Sequence, residues 1–214
     1  MDEIKILFED NEIVCLLKPY GAECEKEIPQ MLKEKCGEIL CVHRLDALTT
    51  GVMVYAKTSK SAAFLSKEIA ENKFKKEYLA VVSGTLSGEG VMVDELFFDR
   101  QKRKSFVSKK ARNGTKHAEL EFSTIANRED LTLVLIKLIT GRTHQIRAQF
   151  SSRGFPLYAD GKYGDKHNGK LNLFCKSISF NHPTKHTNVH ISETPTTTQN
   201  AWNLFCEELN MLQN

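Results

Sequence analysis

The 214-residue sequence predicts an α+β protein with a mixed, mostly antiparallel central sheet and flanking helices. Short apolar runs of strand length outnumber segments with helical periodicity. Most of these runs follow one another through polar or glycine-containing turns, which favours antiparallel pairing. A chain of this length can bury a substantial core in one domain. We therefore expect residues 1–214 to form a single domain.

The strands follow in order along the chain. Residues 4–8 and 13–17 flank a polar turn and predict a hairpin that opens the sheet. Further strands are predicted over residues 52–56 and 74–82. Past a strongly basic segment, residues 119–125 and 131–139 predict a second antiparallel pair. A late strand is expected over residues 171–180.

Four helices are predicted between these strands. The clearest covers residues 60–71, where Leu65 and Ile69 lie on one apolar face and Thr58 offers an N-cap hydroxyl. The others are expected over residues 28–36, from just after Arg142 to about Gly154, and over residues 201–212.

Composition excludes several classes of protein. No apolar run approaches the ~20 residues that a membrane-spanning helix needs. The N-terminus lacks the basic and then apolar layout of a secretory signal. The six cysteines are scattered without a C-x-x-C pair, so we expect them to be reduced and structural. These features predict a cytoplasmic protein, and we expect a monomer without an obligate protein partner.

Positive charge is concentrated in one segment, residues 100–118, which we call the basic ribbon. It contains eight basic residues and no acid, whereas the whole chain has a net charge of only +3. A run of this kind is often only a solvated loop, but Phe106, Val107 and the Asn113-Gly114 turn indicate an ordered ribbon. Such a ribbon can bind the phosphate backbone of a nucleic acid. The predicted contacts are Lys102, Arg103, Lys104, Lys109, Lys110 and Arg112.

Three common kinds of site are not supported. His182, His186 and His190 recur every four residues, but Pro183 opposes the helix that would align them on a metal. The glycines near residue 164 match neither a P-loop nor a dinucleotide fingerprint. No cysteine lies in an electropositive turn that would activate it as a nucleophile. We therefore expect neither a metal nor a cofactor.

The candidate chemistry lies in the loop His43-Arg44-Leu45-Asp46, which is followed by Thr49-Thr50-Gly51 and an apolar strand. The loop carries an imidazole, a guanidinium and a carboxylate, and the strand that follows gives it a rigid attachment to the sheet. The alternative is an exposed Arg-Asp pair on an ordinary loop. Farther along, Arg142 lies where a strand meets a helix, a position suited to pointing its side chain into a cleft.

Several separated blocks carry a more specific signal. They are residues 17–21 (Leu-Lys-Pro-Tyr-Gly), the 43–51 loop, residues 76–84 (Lys-Glu-Tyr-Leu-Ala-Val-Val-Ser-Gly), residues 141–147 (Gly-Arg-Thr-His-Gln-Ile-Arg), residues 156–164 and His182-Pro183. In these blocks, which span nearly the whole chain, the sequence resembles the RluA-type family of RNA pseudouridine synthases. The resemblance implies the pseudouridine synthase catalytic fold and an RNA substrate, from rRNA or tRNA.

The resemblance also implies roles for single residues. Asp46 matches the nucleophile that attacks the target nucleotide, and Arg142 matches the arginine that pairs with this carboxylate. Tyr78 matches the aromatic residue that packs against the uracil. Arg44, next to His43, matches the arginine that fills the space left by the extruded base. A stacked base must leave the helix before its glycosidic bond can react, at a cost of a few kcal/mol.

Three positions depart from the family pattern. Gln149 stands where a histidine is frequent, Ala159 where glycine is usual, and Tyr20 where a small residue is common. None touches the proposed nucleophile. The first strand starts near residue 4, so we expect no separate S4-type RNA-binding domain and assign RNA recognition to the catalytic domain. Two alternatives remain open: a catalytically inactive RNA-binding or RNA-folding factor on the same scaffold, and a phosphodiesterase that uses His43 and Asp46.

Overall fold

The structure is a computed structural model that describes residues 4–111, 113–197 and 200–213. Its strands are β1 (Ile6–Glu9), β2 (Ile13–Lys18), β3 (Leu40–Cys41), β4 (Thr50–Ala56), β5 (Lys75–Ser83), β6 (Glu89–Asp99), β7 (Lys104–Ser108), β8 (Thr115–Arg128), β9 (Leu131–Leu138), β10 (Leu173–Asn181) and β11 (Asn188–Ser192). The α-helices are α1 (Glu27–Cys36), α2 (Ser59–Ala70), α3 (Gln145–Ser152) and α4 (Cys206–Met211), and 3-10 helices cover Gly161–Tyr163 and Asn200–Phe205.

The chain folds into two compact units. The first comprises Met1–Lys76 and Phe174–Thr194, and the second comprises Glu77–Leu173 and Pro195–Asn214. The α+β class with a mostly antiparallel sheet is confirmed. The expectation of one domain stays a prediction. None of the helices described is long and apolar enough to cross a bilayer.

The sheet of the first unit is centred on β4. The predicted opening hairpin is confirmed, since β1 pairs antiparallel with β2. Strand β2 pairs antiparallel with β4 along its whole length, and β10 runs parallel to the start of β4. At that point a Cβ on Gly51 would lie 2.4 Å from the carbonyl oxygen of Cys175, and Gly51 has a φ of +118°. Only glycine fits this close approach of two strands.

Helix α2 covers part of this unit as the sequence predicts. Its N-cap is Thr58, whose hydroxyl accepts a hydrogen bond from the backbone N–H of Ser61 at 3.1 Å. The hydroxyls of Thr58 and Ser61 both donate to the carboxylate of Glu12. The cap therefore also ties the helix to the turn between β1 and β2. Leu65, on the apolar face, is fully buried.

The second unit is built on the antiparallel strand order β5-β9-β8-β6-β7. The predicted pairing of residues 119–125 with 131–139 is confirmed as β8 with β9. Helix α3 packs on this sheet, where the ring of Phe150 meets that of Phe122 edge-on at 5.7 Å between centroids. Strand β6 was not predicted. Its exposed positions include Val91 and Val93, so the sequence lacks the alternation of apolar and polar residues that marks a half-buried strand.

The predicted helix over residues 201–212 is wrong in its first half. Residues Asn200–Phe205 form a 3-10 helix, and the α-helix begins only at Cys206. Phe205, at the junction, has φ −120° and ψ 28°, which lies outside the α region. Trp202 and Phe205 are both buried, so tertiary packing overrides the helical period there.

Of the three histidines that recur every four residues, His182 has a structural role. Its Nδ1 accepts hydrogen bonds from the backbone N–H groups of Thr184 and Lys185. The other nitrogen, Nε2, therefore carries the proton and donates to Asp10 at 2.8 Å. Asp10 also accepts from Lys185 Nζ and from two backbone N–H groups of its own turn. His182 thus ties the turn after β10 to the turn after β1.

This network predicts acid sensitivity in the first unit. Burial raises the pKa of Asp10, but the backbone N–H groups of Glu12 and Ile13, together with Lys185 and His182, outweigh it and lower the pKa to about 2. The folded state then binds the Asp10 proton more weakly than the unfolded chain. Its contribution to stability is complete above pH ~4 and is lost as the pH falls through about 2.

We expect Asp10→Asn to lower the free energy of unfolding by about 1 kcal/mol at pH 7, after allowing for solvent screening. The difference from the unsubstituted protein should disappear near pH 2. Urea unfolding at several pH values measures both quantities. The control is Asp130→Asn at an exposed loop carboxylate. A difference that stays constant with pH would contradict this role for Asp10.

Candidate functional site

The loop that carries Asp46 connects β3 to β4. Exposure alternates along it: His43 and Leu45 are buried, Arg44 is exposed, and Asp46 is half-buried. Alternation of this kind places Arg44 and Asp46 on the same side of an extended segment. The chain turns directly afterwards, where the backbone N–H of Thr49 donates to the carbonyl of Asp46 at 2.9 Å. The structure therefore turns a guanidinium and a carboxylate towards the accessible side of the loop.

Lys18, the last residue of β2, holds this loop by hydrogen bonds to its backbone. Its side chain is only 1% exposed. Its Nζ donates to the carbonyl oxygens of Pro19, Ala47 and Thr49, each at 2.9 Å. Two of these acceptors lie just after Asp46. A buried ammonium that donates to three carbonyl groups acts as a clamp, because a shift of the loop would leave the buried ammonium without its acceptors.

The pKa of Lys18 also depends on the charged groups of the loop. Burial lowers the pKa of Lys18 to about 8, and the negative charges of Asp46 and Glu27 partly oppose this shift. Lys18 is therefore still mostly protonated at neutral pH. Its positive charge lies close enough to the Asp46 carboxylate for the two to stabilise each other.

Cys24 supports the same loop from the other side. Its thiol donates to the carbonyl oxygen of Leu45 at 3.2 Å and accepts from the backbone N–H of Leu45 at 3.4 Å. The hydroxyl of Tyr55 holds the Cys24 carbonyl at 2.9 Å. Burial raises the pKa of the Cys24 thiol. Cys24 is therefore a packing and hydrogen-bonding residue, as the sequence predicts for the cysteines.

His43 lies inside the unit, with 7% of its surface exposed. Its Nε2 accepts the backbone N–H of Val54 at 3.2 Å. Burial, and then the positive charge of Lys76, lower the pKa of His43 well below its usual value, so the ring is neutral. This geometry holds the loop onto β4 by its first residue. A direct RNA contact by His43 stays a prediction.

Arg44, by contrast, lies at the surface and pairs only with Glu25 among the described residues. Its guanidinium is largely exposed, and its ion pair with Glu25 spans 3.5 Å at the surface. A pair of this kind contributes little to stability. Arg44 can therefore leave Glu25 at little cost when a ligand offers a better partner, as a side chain that enters a base stack must.

Tyr78 and Arg142 belong to the second unit. Tyr78 lies on β5 opposite Ile136 of β9 and is almost fully buried. Arg142 follows the end of β9 and is exposed, and its Nε donates to the carbonyl oxygen of His117 at 2.8 Å. Helix α3 begins three residues later, as predicted, so Arg142 does lie between a strand and a helix.

Gln145, at the first position of α3, braces this junction. Its side-chain oxygen accepts from the Thr140 hydroxyl at 2.8 Å and from the backbone N–H of Arg142 at 2.9 Å. Its amide nitrogen donates to the carbonyl of Glu119 at 3.0 Å. A buried glutamine with all of these bonds fixes the backbone from which the Arg142 side chain projects.

A buried ion pair holds the segment that follows. Arg147 donates from Nε and a terminal nitrogen to the two oxygens of Asp160, at 2.7 and 2.8 Å. The Arg147 guanidinium also lies 5.0 Å from the centroid of the Tyr163 ring. Gln149, which departs from the family pattern, donates to the carbonyl of Met92 and to Asp94. These residues serve the packing of α3.

The basic ribbon forms β7, the turn before it and the start of β8. The ammonium groups of Lys102 and Lys104 lie 5.7 and 5.5 Å from the Phe106 ring centroid. Lys104 also donates to the carbonyl of Lys162 at 2.5 Å. Within the described residues, the ribbon thus forms strand over residues 104–108 and from residue 115 onwards. Arg103, Lys109 and Lys110 are exposed, whereas Arg112 lies outside the described residues.

A separate cavity of about 290 Å³ lies on the outer face of β6, β8 and β9. Its lining includes Val91, Glu121 and Lys137 but none of the predicted site residues. Its mixed charge does not suit a polyanion. We therefore place the functional site on the Asp46 loop rather than in this cavity.

The structure thus brings His43, Arg44 and Asp46 together in the first unit, and it places Tyr78 and Arg142 in the second. Two supporting residues were missed: Lys18 and Gln145. Both lie in the motif blocks described above, and a lysine that ends an apolar strand is a detectable signal. Their function became visible only from the carbonyl groups that surround them.

Known proteins are similar to this chain over the region that contains most of these motifs. The sequence profile of the family described as RNA pseudouridylate synthase matches residues 12–152. "Dual-specificity RNA pseudouridine synthase RluA" from Vibrio vulnificus is 31% identical, covering 85% of this chain and 79% of that protein. "Ribosomal large subunit pseudouridine synthase C" from Pasteurella multocida is also 31% identical, but this chain spans only 61% of its length. "tRNA pseudouridine synthase C" from Haemophilus ducreyi is 28% identical, and 90% of it is covered.

Solved structures give the same fold. "Human RNA Pseudouridylate Synthase Domain Containing 1" aligns with a TM-score of 0.80 over 93% of this chain and 87% of the human chain, at 18% identity. "Human RNA Pseudouridylate Synthase Domain Containing 4" aligns with a TM-score of 0.75 over 98% and 93%, at 20% identity. At these identities the likeness concerns the fold alone.

Proposed function

The chain belongs to the RNA pseudouridylate synthase family, and from this premise we propose that it isomerises uridine to pseudouridine in structured RNA, with Asp46 as the nucleophile. The observation that carries the proposal is the Asp46 loop itself. Asp46 is half-buried, while Lys18 and His43 hold the backbone on both sides. To act as a nucleophile, such a carboxylate needs positioning rather than a partner base.

The proposed reaction moves one bond within one nucleotide. The Asp46 carboxylate forms a bond to the target uridine and the bond between N1 and the ribose breaks. The uracil then turns, C5 bonds to the ribose, and the bond to Asp46 breaks, which regenerates the carboxylate. The proton on C5 is released, and N1 gains one. Atoms balance without a second substrate, so the reaction requires no cofactor or metal.

Three further residues have proposed roles. Arg44, exposed and weakly paired, enters the base stack in place of the extruded uridine. Tyr78 packs against the uracil. Arg142 is proposed to be the arginine that pairs with the nucleophile, as the resemblance to the family implies. The bracing of Arg142 by Gln145 and the exposure of its side chain support a role in which the guanidinium is presented from a rigid backbone.

The substrate is proposed to be a stem-loop of rRNA or tRNA. The names of relatives point to both kinds of RNA. Shape and unpaired bases, rather than a short protein motif, set the choice of RNA loop. We further propose that the protein acts in the cytoplasm as a monomer, and its six free cysteines suit a reducing compartment.

A proton-release assay tests this function. RNA transcripts labelled with tritium on uridine C5 should release tritium to water when the protein is added, and the length of the RNA should stay unchanged. Unmodified rRNA and tRNA from cells without the gene provide the substrates. Binding without release would favour the inactive RNA-binding factor, and shortened RNA would favour the phosphodiesterase.

The basic ribbon yields a separate prediction about affinity. Replacing Lys102, Arg103 and Lys104 together with glutamine should weaken RNA binding and reduce the slope of log Kd against log salt by about two to three, because each phosphate contact releases counterions. Filter binding between 50 and 200 mM salt measures this slope.

The matched control for the ribbon replaces Lys33, Lys35 and Lys67 with glutamine. These exposed lysines of α1 and α2 give the same change of net charge at surfaces with no proposed RNA contact. Equal slopes for the two triple variants would show that only net charge matters and would reject the ribbon as the binding surface.

A further inference from the structure

His43 carries a buried donor with no acceptor. Since Nε2 accepts the Val54 N–H, the ring proton is on Nδ1. Among the residues that the structure describes, Nδ1 has no hydrogen-bond partner, although the residue is more than nine-tenths buried. A buried donor without an acceptor costs about 1–3 kcal/mol, and such groups are rare in folded proteins.

The ammonium group of Lys76 packs near the same aromatic ring as His43. The Lys76 ammonium is 5.5 Å from the centroid of the Phe74 ring, and the His43 ring centroid is 5.2 Å from that same ring. Within the described part of the chain, Lys76 makes no hydrogen bond or ion pair with another residue. Its charge also lowers the pKa of His43.

The aromatic surroundings of His43 and Lys76 make these two polar groups destabilising when no ligand is bound. Phe74 is buried, and it stacks on Phe180 at 5.2 Å with an angle of 3° between the planes. Burial lowers the pKa of Lys76, partly opposed by Cys175 and Cys41. The imidazole N–H of His43 is buried and Lys76 is half-buried, and neither group has a hydrogen-bond acceptor among the described residues. An anion with several oxygens would satisfy both.

We propose that the Nδ1–H of His43 and the ammonium of Lys76 form a phosphate-binding pocket on the Phe74 ring, which takes a backbone phosphate that flanks the target uridine. This inference rests on the proposed function. His43 stands three residues before the nucleophile and is fixed to β4, so a phosphate held there is placed relative to Asp46. The pocket acts as a positioning site for the nucleotide that reacts.

The substrate chemistry favours a phosphate over other anions. Each nucleotide of an RNA chain has a phosphate on either side, so an extruded uridine brings one with it. A neutral imidazole donates one hydrogen bond, and lysine supplies the charge. A free carboxylate from the chain would already occupy the pocket if one were in reach, and no described carboxylate pairs with Lys76.

The test compares uridine with uridine 5′-monophosphate and uridine 3′-monophosphate. We expect at least one monophosphate to bind the unsubstituted protein about tenfold more tightly than uridine. In Lys76→Met this preference should be lost, whereas Lys75→Met, at the exposed neighbouring lysine, should keep it. Titrations followed by NMR measure the affinities, and the His43 Nδ1–H signal should shift only with the monophosphates.

Each outcome decides. A preference that persists in Lys76→Met, or the absence of any preference in the unsubstituted protein, overturns the pocket. If Lys76→Met does not fold, Lys76→Gln and the shift of the His43 Nδ1–H signal in the unsubstituted protein carry the test. With RNA, Lys76→Met should raise KM and leave kcat nearly unchanged, since a phosphate is held equally before and during reaction. If the unsubstituted protein isomerises uridine but Lys76→Met keeps the monophosphate preference, the pocket is refuted and the proposed function stands. If the unsubstituted protein does not isomerise uridine but Lys76→Met loses the preference, the proposed function is refuted and the phosphate pocket stands.

Discussion

Asp46→Asn is expected to abolish pseudouridine formation, with a loss of at least about a thousandfold in the single-turnover rate. The amide has the size and shape of the carboxylate but is not a nucleophile at neutral pH. The backbone bonds of the loop to Lys18 do not involve the Asp46 side chain, so the fold should persist. Tritium release from uridine-labelled RNA measures the rate, and filter binding should show RNA affinity nearly unchanged.

Asp130→Asn is the matched control, because it removes a carboxylate from an exposed loop of the second unit. It should retain full activity. If Asp46→Asn or Asp46→Ala remained active, Asp46 would not be the nucleophile, whatever the fold. If binding and activity fell together, the carboxylate would serve the RNA complex rather than the chemical step.

Lys18→Met is expected to lower the free energy of unfolding by about 2–4 kcal/mol, the largest loss of stability among these variants. Methionine fills a similar volume but leaves the carbonyl oxygens of Pro19, Ala47 and Thr49 without the ammonium. Ala47 keeps one donor from Gly21 N–H, and the desolvation of a charge is relieved, so the loss is smaller than three full hydrogen bonds. Urea unfolding at pH 7 measures it.

The same variant should also lose activity at temperatures where it is folded. Without the clamp, the backbone after Asp46 is free to shift, and a displacement of about 1 Å can cost about a hundredfold in rate. Lys60→Met, at an exposed position of α2, is the control and should change stability by less than about 0.5 kcal/mol. A Lys18→Met protein as stable and active as the control would show that the clamp does not position the nucleophile.

Local patterns predicted the regular elements well where local forces decide them. Helix α2 begins within one residue of the predicted start, because Thr58 caps it and its apolar stripe is regular. The opening hairpin and the pair β8 and β9 followed from apolar runs joined by polar turns. Strand β6 and the broken C-terminal helix were missed, because exposed valines and buried aromatic residues there follow tertiary contacts rather than a local period.

By itself, the sequence determined the family, the α+β class and the loop that holds the candidate nucleophile, because these depend on residue types at short, regular spacings. Only the tertiary structure decided what holds that loop. The three carbonyl groups around Lys18 come from separate positions, and the unpaired Nδ1 of His43 is defined by which other groups fail to reach it. Burial and hydrogen-bond satisfaction are properties of folded surroundings, so a linear pattern cannot encode them at any one residue.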